Sequence, residues 1–402
     1  MARRILCCVG LAVSGWTLLA AQDPPRDWVE PATGHRVMRL SDQPGTASLY
    51  FHQNPYTATG DLMVVSTRDG LATIALPSRK MTPLVAGRAS HLVVGRKTRQ
   101  AYYIQNDTVY AANLDTRETR KILSHPRLRT GSGFGLSADE TLLAGSFVIE
   151  DAPGVSPPAN TAAPAANPLA TPPPQASSLE ARWAARRPMA LYTLNVNDGR
   201  LKVIYTSTDW LNHVQMSPTD PTLIMYCHEG PWHKVDRIWT IRTDGSNRRL
   251  MHARTMDMEI AGHEFFGTDG KTLWYDLQTP KSKVFWLAGV DLASGKTTRY
   301  AVEREHWSVH FNVSSDGRHF AGDGGGPRSV AAPGNGQWIY LFTPTTDGKL
   351  VAERLVDLAK HDYQLEPNVT FTPDDKWIVF RSNMHGATHV YAVEVAKTSS
   401  SK

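Results

Sequence analysis

Cysteine is nearly absent. Of three in the 402 residues, Cys7 and Cys8 sit within the first ten positions and only Cys227 lies beyond them. A single thiol cannot form an internal disulfide, so the fold must hold by its core, whatever the redox state of the compartment. Long apolar runs are absent too, except at the start. There Arg3 and Arg4 precede a run from Ile5 to Ala21, and Pro24 and Pro25 follow at once. The pattern reads as a secretory signal peptide over residues 1–22, with a weak small-residue cleavage signal at Ala20 and Ala21. It is too short and too soon broken for a stable membrane anchor. The expected location is therefore secreted or periplasmic. An excess of one charge is also missing. The net charge of +5 falls to +3 without Arg3 and Arg4, too small and too evenly spread to argue for a nucleic-acid partner, although it does not repel an anionic ligand.

What the chain has in abundance is a repeat. The element "HVQMSPTDPTLIMYC" from His213 recurs as "HEFFGTDGKTLWYDL" from His263, "HFNVSSDGRHFAG" from His310 and "NVTFTPDDKWIVFRS" from Asn368. Weaker copies begin at Gln53, His91 and Gly133, which makes seven. Each is an apolar strand, a turn of Ser, Thr, Asp and Gly, then a second strand. A third follows, such as "TVYAANL" or "WIYLFTP", and usually a fourth after a polar turn. Four short antiparallel strands repeated seven times at roughly 40 to 50 residues predict an all-β fold, a seven-bladed β-propeller. The seventh unit lacks a fourth strand, and "GHRVMRLSD" near the mature N-terminus has the pattern to supply it and close the ring. Residues 23–398 are thus expected to form one domain. The interval from Gly133 to His213 is too long, and it holds a proline- and alanine-rich stretch over 151–178. That composition cannot bury a core, so it reads as a mobile loop between the second and third strands of blade three.

In a propeller the first strand of each blade lines the central channel. The residues four places before each turn are Gln53, His91, Gly133, His213, His263, His310 and Asn368, four of them histidine. Imidazoles that only cap strand ends would explain any one of these; the set points to a polar site. Two neighbouring segments add charge. "YCHEGPWHKVDRIW" brings His228, Glu229, His233, Asp236 and Arg237, and "HDYQLEPNVTF" brings Tyr363, Gln364, Glu366 and Asn368. The oxygen donors of the second segment, Gln364, Glu366 and Asn368, with His310 from the adjacent blade, could hold a divalent cation such as Ca²⁺ or Mn²⁺. The structural alternative pairs Glu366 with Arg381.

The segments "HVQMSPTDPTLIMYCHEGPWHKVDRIWTI", "GHEFF", "EPNVTFTPDDKWIVFRSN" and the seven-fold repeat resemble the oligogalacturonate lyases, polysaccharide lyase family 22, which are seven-bladed propellers. The resemblance implies β-elimination on a short uronate-containing oligosaccharide. A base removes the C5 proton and the C4 oxygen departs, leaving a 4,5-unsaturated sugar. Such chemistry needs a neutral base near pH 7 and positive charge against the uronate carboxylate. By resemblance His263 is the base, Arg237 binds the carboxylate or stabilises charge, and His310 is a metal ligand; His213, His228 and Arg381 are expected to bind substrate. The chain departs from the family at the blade-seven mouth, where Glu366 and Asn368 stand in place of a histidine pair, and in carrying an expected signal peptide. The competing reading is a non-catalytic periplasmic propeller that binds a protein or glycan partner. The propeller half of a serine peptidase is argued against by the lack of a Gly-x-Ser-x-Gly elbow. A nucleotide site is argued against because "GDGGGP" does not stand between a strand and a helix.

Overall fold

The structure, a computed structural model, describes residues 23–149, 175–327, 329 and 336–397. The expected signal peptide lies outside them, and so does the proline- and alanine-rich loop up to residue 174. The last residues of that expected loop are not loop: they open a helix, α1, spanning Gln175–Ala184.

Seven antiparallel sheets follow one another along the chain as the repeat requires. Blades two to six have four strands in sequence order, innermost first. Blade one has three named strands, and its innermost side is reduced to two isolated bridges, Ala47 with Ser66 and Tyr56 with Met63. Blade seven closes the ring. Its strand His389–Lys397 pairs on one side with Trp377–Ser382 and on the other with the N-terminal strand His35–Arg39, as expected from "GHRVMRLSD". The structure adds a fifth strand to this blade, Asp27–Val29, on the outer edge. Closure in this way ties the N-terminal strand into the last blade and so joins the two ends of the ring.

The core is divided among the interfaces between neighbouring blades. Ala144, Met189 and Leu191 of blade three pack with Leu211, Val214 and Tyr226 of blade four. Ala321 and Ile339 of blade six pack with Ile378 and Tyr391 of blade seven, and Val37 of the closing strand joins them. Successive residues of a strand face opposite ways, so each blade gives one apolar face to each neighbour. Where blades three and four approach closest, at Gly133 and Gly135, an added Cβ would meet the backbone nitrogens of Val214 and Met216 at 2.5 and 2.6 Å.

Because Val37 is fully buried in the closing strand, Val37→Ala is expected to cost about 2 kcal/mol. The measurement is the urea midpoint of unfolding; an unchanged midpoint would mean that the closing strand does not share in the fold's cooperative unit.

Candidate functional site

The channel residues owe their direction to a backbone irregularity. In four blades the innermost pairing slips by a bulge, between Ser90 and Val93, Ser132 and Phe134, Asn212 and Gln215, and Gly262 and Phe265. At each slip one residue is left-handed: His91 at φ 52°, Gly133 at 73°, His213 at 47° and His263 at 46°. Asn368, at the equivalent place in blade seven, has φ 55°. A bulge leaves one residue unpaired and re-aims its side chain. Holding a non-glycine residue there costs free energy that the rest of the blade must supply. The ring positions read from the sequence are thus left-handed positions, four of them at bulges, except at blades one and six.

His263 Nδ1 lies 2.8 Å from Asp276 Oδ1, a carboxylate wholly buried on the next strand. The pairing is dictated locally, since Asp276 stands opposite Gly262 in the register. In the neutral ring, Nδ1–H donates to the carboxylate and Nε2 keeps the lone pair. The His263 side chain is 10% exposed, and the Asp276 contact leaves Nε2 free. His310 repeats the arrangement on blade six: its Nδ1 is 2.7 Å from Asp323 Oδ2. The two imidazole centroids are 4.6 Å apart and nearly perpendicular. Burial alone would lower the His310 pKa, but the charges of Asp323 and Glu366 outweigh it and the ring is held above its ordinary value.

Blade one supplies the channel with Tyr50, Phe51 and His52. Gln53 instead folds back, its side chain accepting from the Tyr50 N–H at 3.3 Å. Tyr50 lies 5.2 Å from the His310 ring and 6.0 Å from that of His213, and His52 is 6.3 Å from His213. Burial, then the neighbouring imidazoles of His213 and His310, keep His52 well below its ordinary pKa and so neutral.

Arg237 is not a free cation facing the channel. Its side chain is 1% exposed. Its guanidinium donates to Glu229 Oε1, lies 3.5 Å from both Glu264 oxygens and from Cys227 Sγ, and stacks 4.8 Å over the Trp232 ring. Burial opposes the charge, yet Cys227, Glu229 and Glu264 hold the guanidinium well above its ordinary pKa. Trp232 links this brace to His263, with the two rings 5.2 Å apart. Glu229 also accepts from Trp232 Nε1 at 3.1 Å and faces His213 Nε2 at 3.4 Å. His213, Cys227 and Glu229 bring three donor atoms within 4.8 Å of one another, but the guanidinium already fills the cationic role in that cluster.

The expected metal ligands are brought together only in part. His310 Nε2 is buried without a hydrogen-bond partner among the described residues, and Glu366 Oε2 lies 3.8 Å from it. That pair offers a divalent cation an imidazole nitrogen and a carboxylate oxygen. Asn368 is otherwise committed: its Oδ1 accepts from the Phe51 N–H at 3.1 Å and its Nδ2 donates to the Glu366 carbonyl at 3.1 Å. Gln364 is exposed, and its backbone N–H donates to Asp362. Arg381 holds the carbonyls of Glu366 and Ser48 at 2.7 and 3.2 Å, so it fixes the loop backbone rather than pairing with the Glu366 carboxylate. His228 points away from the cluster. It alternates with Cys227 and Glu229 on its strand and meets Asp209 at 3.4 Å and the Trp239 ring at 5.0 Å.

Comparison with known proteins accords with this geometry. The family profile described as oligogalacturonate lyase matches residues 182–399, more than half of the sequence. The chain belongs to the oligogalacturonate lyase family. It is 31% identical over 216 residues to the oligogalacturonate lyase of Dickeya dadantii, covering 51% of this chain and 55% of that protein. Over the same length and shares it is 27% identical to the oligogalacturonide lyase of Pectobacterium atrosepticum. The match thus spans about half the length of these relatives. Among solved structures, an oligogalacturonate lyase in complex with manganese superposes with a TM-score of 0.77 at 22% identity, covering 92% of this chain and 96% of that one. The enzyme of that name from Vibrio parahaemolyticus gives 0.76 at 21% identity over the same shares. These two likenesses establish the family's propeller fold over nearly the whole chain.

The buried ion pair of Arg237 and Glu229 generates a prediction. Burial raises the Glu229 carboxyl, but Arg237 and His213 prevail and hold it well below its ordinary value of 4.5. A carboxylate lowered in the folded state stabilises above the unfolded pKa, and that stability is lost as pH falls toward the folded pKa. Glu229→Gln is expected to destabilise by about 3 to 5 kcal/mol at pH 7, because Arg237 loses a buried partner, and to flatten the decline of stability below pH 4.5. Unfolding free energies from pH 7 to 3 measure both; a parallel decline in parent and variant would exclude Glu229 as the source.

Proposed function

We propose that this protein cleaves short uronate-containing oligosaccharides, of the oligogalacturonate kind, by β-elimination. The observation that carries the reading is the His263–Asp276 pair opening into the channel beside His310 and Glu366. The substrate classes named for the curated relatives support it.

In the proposed reaction His263 Nε2 takes the proton from C5 of the uronate. The electrons of that C–H bond form the C4–C5 double bond, the C4–O bond breaks, and the departing oxygen takes up a proton from solvent. Asp276 fixes the tautomer, so that Nε2 is the basic nitrogen, and stabilises the imidazolium formed when the proton arrives. The carbanionic character at C5 is tolerable only if the adjacent carboxylate is held by positive charge. A divalent cation at His310 and Glu366, manganese by analogy with the superposable lyase, would supply that charge as a Lewis acid. Arg237 contributes by bracing Trp232 and Glu229 rather than by direct contact. His213, on the blade before that of His263, and Tyr50, whose ring lies 6.0 Å from the His213 ring, would bind sugar hydroxyls.

The test is direct. The mature protein, incubated with digalacturonate and trigalacturonate, should produce ultraviolet absorbance from the unsaturated product. His263→Ala should abolish that signal, and Asp276→Asn should lower kcat by at least roughly a hundredfold, both with melting temperatures near the parent's. Signal retained by His263→Ala would rule out the proposed base. No signal from the parent on any uronate would favour a binding propeller.

Chelation gives a separate prediction. Treatment with EDTA should slow elimination, and Mn²⁺ should restore it in the parent but not in His310→Ala. Activity indifferent to EDTA would remove the cation from the proposal.

A further inference from the structure

The long blade-three connection returns to the propeller through α1, and that helix is fastened to blade four. Trp183 rests on Gly230, where an added Cβ would meet its Cδ1 at 2.7 Å and a Val235 methyl at 2.9 Å. Any side chain at 230 would therefore strike the indole. Lys234 reaches back to Glu180 at 2.6 Å and sits 5.5 Å from the centroid of the Trp183 ring. Just past the helix, Arg186 pairs with Asp209 at 2.8 Å and donates to Thr208 Oγ1 at 3.3 Å. These contacts make the last turn of α1 a fixed wall of the blade-four mouth.

The wall presents Arg182. Its guanidinium lies 3.4 Å from the centroid of Trp210, and Trp210 stands directly opposite Glu229 in the register of the two innermost strands. Desolvation on the indole lowers its pKa and the charge of Glu229 acts the other way, which sets the guanidinium within electrostatic reach of the site. Arg182 is solvent-accessible and has no carboxylate within ion-pair distance among the described residues, whereas Lys234 and Arg186 beside it are paired. Glu229 does not claim it, because Glu229 is occupied by Arg237. A guanidinium held flat on an indole keeps its planar N–H edge in the open, the arrangement that receives a carboxylate through two parallel hydrogen bonds. Stacking also limits the side-chain entropy lost when an anion binds.

We infer that Arg182, stacked on Trp210, binds the carboxylate of the uronate next to the one that reacts, so that α1 forms the outer wall of a second sugar subsite. This rests on the proposed uronate reading of the channel. It differs from that reading in needing neither His263 nor a cation.

The experiment separates the two. In the His263→Ala background, calorimetric binding of saturated trigalacturonate should weaken about tenfold on adding Arg182→Ala, while the uncharged galactotriose of the same linkage is unaffected. Arg182→Lys keeps the charge without the fork and should recover only part of the loss. In the active protein, Arg182→Ala should raise KM for trigalacturonate with kcat retained. Equal affinity with and without Arg182, equal loss for the neutral trisaccharide, or no trigalacturonate binding at all would each overturn the subsite. If trigalacturonate binds in an Arg182-dependent way while the parent eliminates no uronate, the subsite stands and the lyase reading falls.

Discussion

The constraint on which everything else depends is closure of the ring. Seven sheets can aim their innermost strands at one channel only if the last is joined to the first, and here the join is made by pairing His35–Arg39 with His389–Lys397. No blade contributes more than a few side chains to the channel, and none could build a site alone. His263 and His310 come from separate blades, yet their rings are 4.6 Å apart. The apolar packing between blades sets that separation, and at His263 a bulge then turns the side chain inward.

Within that frame the site is organised by buried carboxylates on second strands. Asp276 and Asp323 are each fully buried and each take the Nδ1 side of a channel imidazole. An ionised carboxylate in such a place is costly unless hydrogen-bonded, so the pairing is strongly enforced and leaves the two Nε2 atoms free of it. The two histidines are nevertheless different. His310 is wholly buried and has Glu366 within 3.8 Å, while His263 is part-exposed and lies against Trp232. One environment suits a cation ligand and the other a proton acceptor.

The architecture was legible in the sequence because a repeat of apolar strands and polar turns leaves few other folds, and the closing strand followed from the unit that was one strand short. The ring histidines were legible because the bulge falls at a fixed distance from each turn. Blade six reaches the channel without a left-handed residue, so the rule found His310 for a different local reason. Blade one defeated it: Gln53 caps its own turn and Tyr50 and His52 take the channel, since that blade lacks a regular inner strand. The helix α1 was hidden by the proline- and alanine-rich composition before it, although "SLEARWAARR" is rich in good helix formers. Asp276 did carry a signal, a carboxylate in the middle of the apolar strand "LWYDL". Nothing in the local sequence marks Arg237 as buried, because that depends on Glu264 arriving from the neighbouring blade.

Arg237 changes how the charge for the proposed elimination must be supplied. A guanidinium between Glu229 and Glu264 is part of a cluster whose formal charge is negative, so its attraction for a further carboxylate is largely spent. If it turned outward to meet substrate, two buried carboxylates would be left without their cation, at a cost comparable to the whole stability of many domains. Removing Arg237 would therefore act first on folding, and loss of activity in such a variant would say little about catalysis. The positive charge that elimination needs has to come from groups not already neutralised. In the proposed site those would be a cation held by His310 and Glu366 and, one sugar further out, the stacked guanidinium of Arg182. The buried arginine is then the brace that keeps Trp232 and Glu229 in place while the accessible charges meet the substrate.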